Sequence, residues 1–89
     1  MVYRFVMEEE YFAYVIQSEL TGKFYYGHAR NMSVRLKEHN SGKSRFTKSG
    51  IPWKLVYFEK NPSLVEVLKR EKYFKTAAGR RYLKKILAP

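Results

Sequence analysis

The chain has 89 residues and no cysteine, which suits a single domain and excludes a disulfide framework or a thiolate metal site. It carries 18 Lys and Arg against 8 acidic residues, a formal charge of +10 at pH 7. Such a field draws in polyanions and argues for a nucleic-acid partner over a membrane. All eight acids are Glu, with three in the run Glu8-Glu9-Glu10. With no Asp and only two His, the composition argues against a His-rich zinc site and against a carboxylate-rich two-metal centre.

A domain this small buries only roughly 60–65% of its unfolded surface, so its core must draw on large side chains. The chain supplies 8 Tyr, 6 Phe and 1 Trp. No apolar run is long enough to span a bilayer. The N-terminus MVYRFVMEEE has no small-residue cleavage pattern. These features suit a cytoplasmic protein. Residues 1–10 read as a poorly ordered extension, with Met7 an alternative start, and residues 11–89 as the folded domain.

YFAYVIQS (11–18) is aromatic and β-branched and reads as a strand with Phe12, Tyr14 and Ile16 on one face. ELTGK turns the chain at Gly22, and FYYGHA (24–29) returns as the second strand of a hairpin. An even loop places Tyr14 on the same face as Tyr25; an odd loop places it with Phe24 and Tyr26. NMSVRLKEHNSG (31–42) reads as a helix with Asn31 as N-cap and Gly42 as its stop. Met32 and Leu36 stack toward the core, while Arg35 and His39 stack on a neighbouring face. SGKSRFTKSGIP (41–52) reads as a mobile basic loop suited to phosphate contact.

WKLVYFE (53–59) is apolar on both alternating faces, which predicts a strand covered on both sides, as a central strand is. A helix then opens at Ser63, with Glu66 at capping-box spacing, and runs to about Thr76. AAGRRYLKKILA (77–88) reads as a last helix with Tyr82, Leu83, Ile86 and Leu87 inward. The order β-β-α-β-α-α predicts a small α+β domain.

One residue breaks the pattern. Leu64, Val67, Glu71 and Phe74 share a helical face, so Glu71 falls in a stripe otherwise apolar. A carboxylate there is costly unless it is paired, hydrogen-bonded or bound to a cation. If a metal is bound, one carboxylate with water and substrate phosphate suffices for Mg²⁺.

FAY (12–14), YYG (25–27), RLKEH (35–39) and EVLKRE (66–71) together resemble the GIY-YIG nuclease superfamily across residues 11–76. RLKEHNSGK, PWKLVYFE and LKREKYFK resemble its small stand-alone bacterial branch, related to the N-terminal nuclease domain of the UvrC excision-repair protein. The resemblance implies a three-stranded antiparallel sheet flanked by helices and a metal-dependent endonuclease acting on DNA, in repair or recombination. It assigns Tyr14 and Tyr25 to the two name-giving tripeptides, one of them deprotonating or orienting the attacking water. It assigns Arg35 to the scissile phosphate, His39 to support of the site, and Glu71 to a single Mg²⁺ or Mn²⁺ ion.

A guanidinium offers a planar fork to phosphate oxygens, which suits that role. Lys43, Arg45, Lys48, Arg70 and Arg80 are the expected nucleic-acid contacts, to DNA or RNA. With no specificity domain attached, selectivity is expected from DNA structure or a protein partner, or is expected to be low. Several positions depart from the pattern. The tripeptides read FAY and YYG, His28 stands where some relatives carry Lys, and no Asn follows Asn61. The rival reading is a non-catalytic nucleic-acid-binding module on the same fold.

Overall fold

The computed structural model describes residues 10–88. The expected N-terminal extension therefore lies, Glu10 apart, outside the described residues. The elements are β1 (Tyr11–Ser18), β2 (Phe24–Ala29), α1 (Met32–Asn40), a short 3-10 turn (Lys48–Gly50), β3 (Trp53–Asn61), α2 (Leu64–Phe74) and α3 (Ala77–Leu87). The strands form one antiparallel sheet in the order β2-β1-β3. This is the expected α+β architecture and chain order.

The hairpin closes with the Ser18 N–H donating to the Lys23 carbonyl, leaving four residues in the loop. That even loop sets the register: Tyr14 opposes Gly27 and Ile16 opposes Tyr25. Tyr14 and Tyr25 therefore share a face of the sheet.

β1, not β3, is the central strand, and its residues Ala13, Tyr14, Val15 and Ile16 are all fully buried. β3 lies at an edge. Its apolar faces arise because helices pack on both sides of the sheet. On one side Tyr11, Ala13 and Val15 meet Val67 and Phe74 of α2 and Leu83 of α3. On the other, Tyr14, Ile16 and Trp53 meet Met32 and Leu36 of α1. An irregularity between Val15 and Ile16 shifts the pairing with β3. Toward the far end of β3 the cover runs out, and Phe58 is 53% exposed.

The helix ends follow their local chemistry. Asn31 Oδ1 accepts the Val34 N–H, and Gly42 follows α1 at φ +81°, a conformation that glycine adopts without steric cost. Ser63 Oγ accepts the Glu66 N–H at 3.1 Å, while the Glu66 carboxylate pairs with Lys69. Thr76 Oγ1 accepts the Gly79 N–H, so the chain breaks α2 from α3 there. Of the stripe expected on α3, Leu83 alone is fully buried; Tyr82, Ile86 and Leu87 stay exposed. α3 packs on α2 and stands off the sheet. A groove of about 530 Å³ remains between α3 and the sheet, lined by Val15, Phe24, Tyr26, Leu83 and Leu87.

Segment 41–52 is tied down despite its Ser/Gly-rich composition. Thr47 is buried and its Oγ1 lies 2.7 Å from His39 Nδ1. Trp53 Nε1–H donates to the Thr47 carbonyl at 2.7 Å. Asn40 receives the Trp53 N–H at Oδ1 and donates from Nδ2 to the Trp53 carbonyl. Ser18 Oγ–H donates to the Gly50 carbonyl.

His39 is thus enclosed between Tyr14 and Thr47. Burial, and next the charge of Arg35, push its pKa down to about 4. In the unfolded chain it titrates near ~6.5. Between those values the unfolded chain holds a proton that the folded chain lacks, so stability falls as pH drops through that window. Urea unfolding between pH 7 and pH 4.5 should show the wild type losing about 2–3 kcal/mol more than His39→Gln. His39→Gln should be the less stable protein at pH 7. Parallel pH slopes in the two proteins would show that His39 titrates normally in the fold.

Candidate active site

The site is built around one phenolic oxygen. Tyr14 lies on the central strand with no exposed surface, and its side chain crosses Gly27 on β2. A Cβ at position 27 would stand 2.5 Å from Tyr14 Oη and 2.7 Å from Cζ. The glycine of YYG is therefore required by the close approach of a neighbouring ring.

Tyr14 Oη accepts a hydrogen bond from Arg35 Nε at 3.2 Å and shares a second with His39 Nε2 at 2.8 Å. The spacing of Arg35 and His39 on α1 aims both at the same hydroxyl. Burial pushes the Tyr14 pKa up to about 12; the Arg35 bond and charge act against this, and the Tyr25 and Glu71 charges reinforce it. Tyr14 is therefore a neutral phenol at physiological pH, and His39 beside it a neutral imidazole.

Burial acts to lower the Arg35 pKa, but the bond to Tyr14 and the nearby Glu38 outweigh it, and the net shift is upward. With Nε committed to Tyr14, the Arg35 Nη groups carry only a loose contact, 4.0 Å from Nη1 to Glu38 Oε2. Its side chain is about one-third exposed. The guanidinium is held at one end and accessible at the other.

Tyr25 stands beside this cluster on the same sheet face, half-buried. Its ring lies edge-on to His39 at 5.2 Å and to Trp53 at 6.5 Å between centroids. Among the described residues its hydroxyl has no hydrogen-bond partner.

Glu71 comes from the other side of the sheet. Val67 and Phe74, on the same face of α2, are fully buried, whereas Leu64 is exposed and the Glu71 side chain is 17% exposed. The carboxylate sits at the rim of the stripe rather than inside it. Oε2 lies 2.8 Å from His28 Nδ1, and Oε1 lies 3.3 Å from Lys75 Nζ. His28 follows Gly27 on edge strand β2 and points to the opposite face. Of the influences on the Tyr14 pKa, the Glu71 charge is the smallest.

The structure therefore joins Tyr14, Arg35 and His39 directly and sets Tyr25 alongside. His39 is enclosed, bonded to Tyr14 and Thr47 and in ring contact with Tyr25. Lys43, Arg45 and Lys48 are exposed on the anchored segment 41–52. Arg70 is engaged elsewhere: its Nε and Nη2 both donate to Glu59, and its guanidinium lies over the rings of Tyr73, Phe74 and Tyr82. Glu59 is held below the usual carboxylate range because hydrogen bonds from Arg70 and Tyr57 outweigh its burial. Arg80 lies on α3 at the apolar groove.

No spacing rule in the sequence connects Thr47 to His39. His28 stands in the sequence as a departure from the family pattern, and its place next to the glycine of YYG is the one visible signal of its contact with Glu71.

Among the described residues no three of His, Asp or Glu converge. Glu71 still fits a single divalent ion. Each of its oxygens holds one protein partner, while an ionised carboxylate has about four lone-pair sites.

The sequence matches the GIY-YIG catalytic domain over residues 10–84. A UPF0213 protein of Staphylococcus epidermidis is 35% identical over 79 residues, covering 88% of this chain and 95% of that one. A UPF0213 protein of Syntrophus aciditrophicus is 48% identical over 65 residues, covering 70% and 75%. The solution NMR structure of a UPF0213 protein from Bacillus halodurans is similar with a TM-score of 0.54 at 25% identity, over 86% of this chain and 84% of that one. These names state no reaction. The match spans both tripeptides, the α1 arginine and the α2 glutamate, and the chain belongs to the GIY-YIG catalytic domain family.

Proposed function

We propose that the protein is a divalent-metal-dependent endonuclease that hydrolyses phosphodiester bonds in DNA. The observation that carries this reading is the Arg35–Tyr14 bond, which fixes a guanidinium by Nε and leaves its Nη groups accessible. A phosphate oxygen is the natural acceptor for that fork. Family membership and the positive field support the same conclusion.

In this reading the Arg35 Nη groups bind a non-bridging oxygen of the scissile phosphate and neutralise the charge that grows on it. Tyr25 hydrogen-bonds the attacking water and orients it on phosphorus. Tyr14, kept protonated by its burial, acts as a positioning residue for Arg35. His39 holds Tyr14, and Thr47 holds His39. Glu71 would hold Mg²⁺ or Mn²⁺, which when bound would polarise a phosphoryl oxygen and stabilise the departing oxyanion. Lys43, Arg45 and Lys48 would follow the phosphate backbone. Arg70, paired with Glu59, has a structural role.

A second reading, a non-catalytic nucleic-acid-binding module, is favoured by one observation. Both Glu71 oxygens already have protein partners, so the carboxylate does not need a metal to be satisfied. Incubation with duplex, nicked, branched and single-stranded DNA, with and without Mg²⁺ or Mn²⁺, decides between them. The enzyme reading expects metal-dependent nicking that Glu71→Gln abolishes. Tight binding without cleavage of any substrate would establish the module.

The two tyrosines should separate. Tyr25→Phe should lose cleavage while keeping DNA binding and nearly all stability. Tyr14→Phe strands the partners of a buried hydroxyl and should cost about 1–3 kcal/mol in urea unfolding. Full activity in Tyr25→Phe would remove that residue from the reaction. Arg35→Ala should reduce single-turnover cleavage by about 10²-fold or more, with a much smaller loss of binding. Equal losses in both would reduce Arg35 to a phosphate contact.

Binding itself should weaken linearly in log salt. Neutralising Lys43, Arg45 and Lys48 together should flatten that slope by roughly 2–3. Fluorescence anisotropy across a salt series measures it, and an unchanged slope would take segment 41–52 off the DNA path.

A further inference from the structure

The geometry points to His28 as a second protein ligand, with Glu71, for the divalent cation, and so to a site that favours Mn²⁺ or Co²⁺ over Mg²⁺. This rests on the reading of Glu71 as a metal ligand.

The spacing is the first argument. His28 Nδ1 and Glu71 Oε2 are 2.8 Å apart. Two donors bound to one ion at about 2.0–2.1 Å, at right angles, stand about 3.0 Å from each other. The pair therefore already has the separation of adjacent ligands in an octahedral shell. An ion would replace the proton they share, with both side chains rotating so that their lone pairs turn off the Nδ1–Oε2 line onto the ion.

The second argument is rigidity. His28 lies within the β1–β2 ladder, opposite Ala13. Glu71 lies in the body of α2, on a face whose Val67 and Phe74 are fully buried. Neither backbone has to move for the two donors to meet, which is the condition for a preorganised site.

Access is the third. The His28 side chain is 37% exposed, so water and a phosphate oxygen can complete the shell. Among the described residues no third His, Asp or Glu joins, and the site stays open to substrate. Lys75 lies 3.3 Å from the other Glu71 oxygen and is more than half exposed on a flexible stem. It neutralises Glu71 without an ion and can swing into solvent when one arrives.

The chemistry sets the preference. Mg²⁺ takes oxygen ligands almost exclusively, whereas imidazole suits the transition metals and raises their affinity. One imidazole beside one carboxylate should separate the two classes of ion.

Isothermal titration of the DNA-free protein with MnCl₂, CoCl₂ and MgCl₂ tests this, with NMR of the His28 ring as Mn²⁺ is added. The wild type should bind Mn²⁺ and Co²⁺ about 10-fold or more tighter than Mg²⁺. The His28 ring signals should broaden at substoichiometric Mn²⁺. His28→Ala should lose about 10- to 100-fold in Mn²⁺ affinity and keep its Mg²⁺ affinity, and Glu71→Gln should lose both. His28→Gln can still donate a hydrogen bond to Glu71 but offers no imidazole, so it guards against a folding defect in His28→Ala. It should lose the Mn²⁺ preference equally. Wild-type Mn²⁺ affinity in His28→Gln, with binding abolished in Glu71→Gln, would overturn the role of His28 and leave Glu71 as the ligand. No difference between wild type and Glu71→Gln would overturn both.

Discussion

The fold turns on a polar atom in an apolar place. Tyr14 Oη lies in the core of a three-stranded sheet, and a hydroxyl buried without a partner costs several kcal/mol. Its satisfaction imposes a chain of further conditions. β2 must carry a glycine opposite Tyr14, because any Cβ there would meet the ring. Arg35 must bring Nε to the hydroxyl from α1, and His39 must meet it from one turn further along. His39 must in turn be neutral and bonded at its other nitrogen, which requires Thr47 in segment 41–52. One hydroxyl thus connects the central strand, the edge strand, the first helix and the segment that follows it.

That network also explains how so basic a chain keeps an ordered positive surface. Lys43, Arg45 and Lys48 repel one another, and a Ser/Gly-rich stretch has much entropy to lose on ordering. The segment is nevertheless fastened by Thr47 to His39, by its Thr47 carbonyl to Trp53, and by Gly50 to Ser18. The charged side chains are exposed while Thr47 points inward. Across the sheet, the Arg70–Glu59 pair does similar work for α2 and β3, with Tyr57 also donating to Glu59.

Most elements were legible because their local chemistry is explicit. β1 and β2 follow from aromatic and β-branched runs ended by a Gly turn, and Asn31 and Ser63 cap the helices expected of them. Strand order was not legible. An edge strand sandwiched between helices has two apolar faces, as a central strand has, so β3 carried the pattern without the position. Helical periodicity on α3 likewise marks an apolar stripe without revealing that the helix packs on α2 and stands off the sheet. The parity of the hairpin loop, which decides whether Tyr14 and Tyr25 are neighbours, depends on the pairing at Ser18 and Lys23 and not on composition. The family resemblance singled out Tyr14, Arg35 and His39, and helical spacing put Arg35 and His39 on one face, but their meeting at one hydroxyl was not legible. Nor were Thr47 and the His28–Glu71 contact, since both join residues distant in the chain through the folded packing alone.

The position of Glu71 shows how a carboxylate is accommodated beside an apolar stripe. Placed at the centre of the stripe, a carboxylate would be desolvated beyond what one imidazole and one ammonium offset. At the rim it keeps 17% of its side-chain surface and pairs with His28 and Lys75. The glycine that admits the Tyr14 ring thus stands next to the histidine that pairs with this carboxylate, with Gly27 and His28 facing opposite sides of β2.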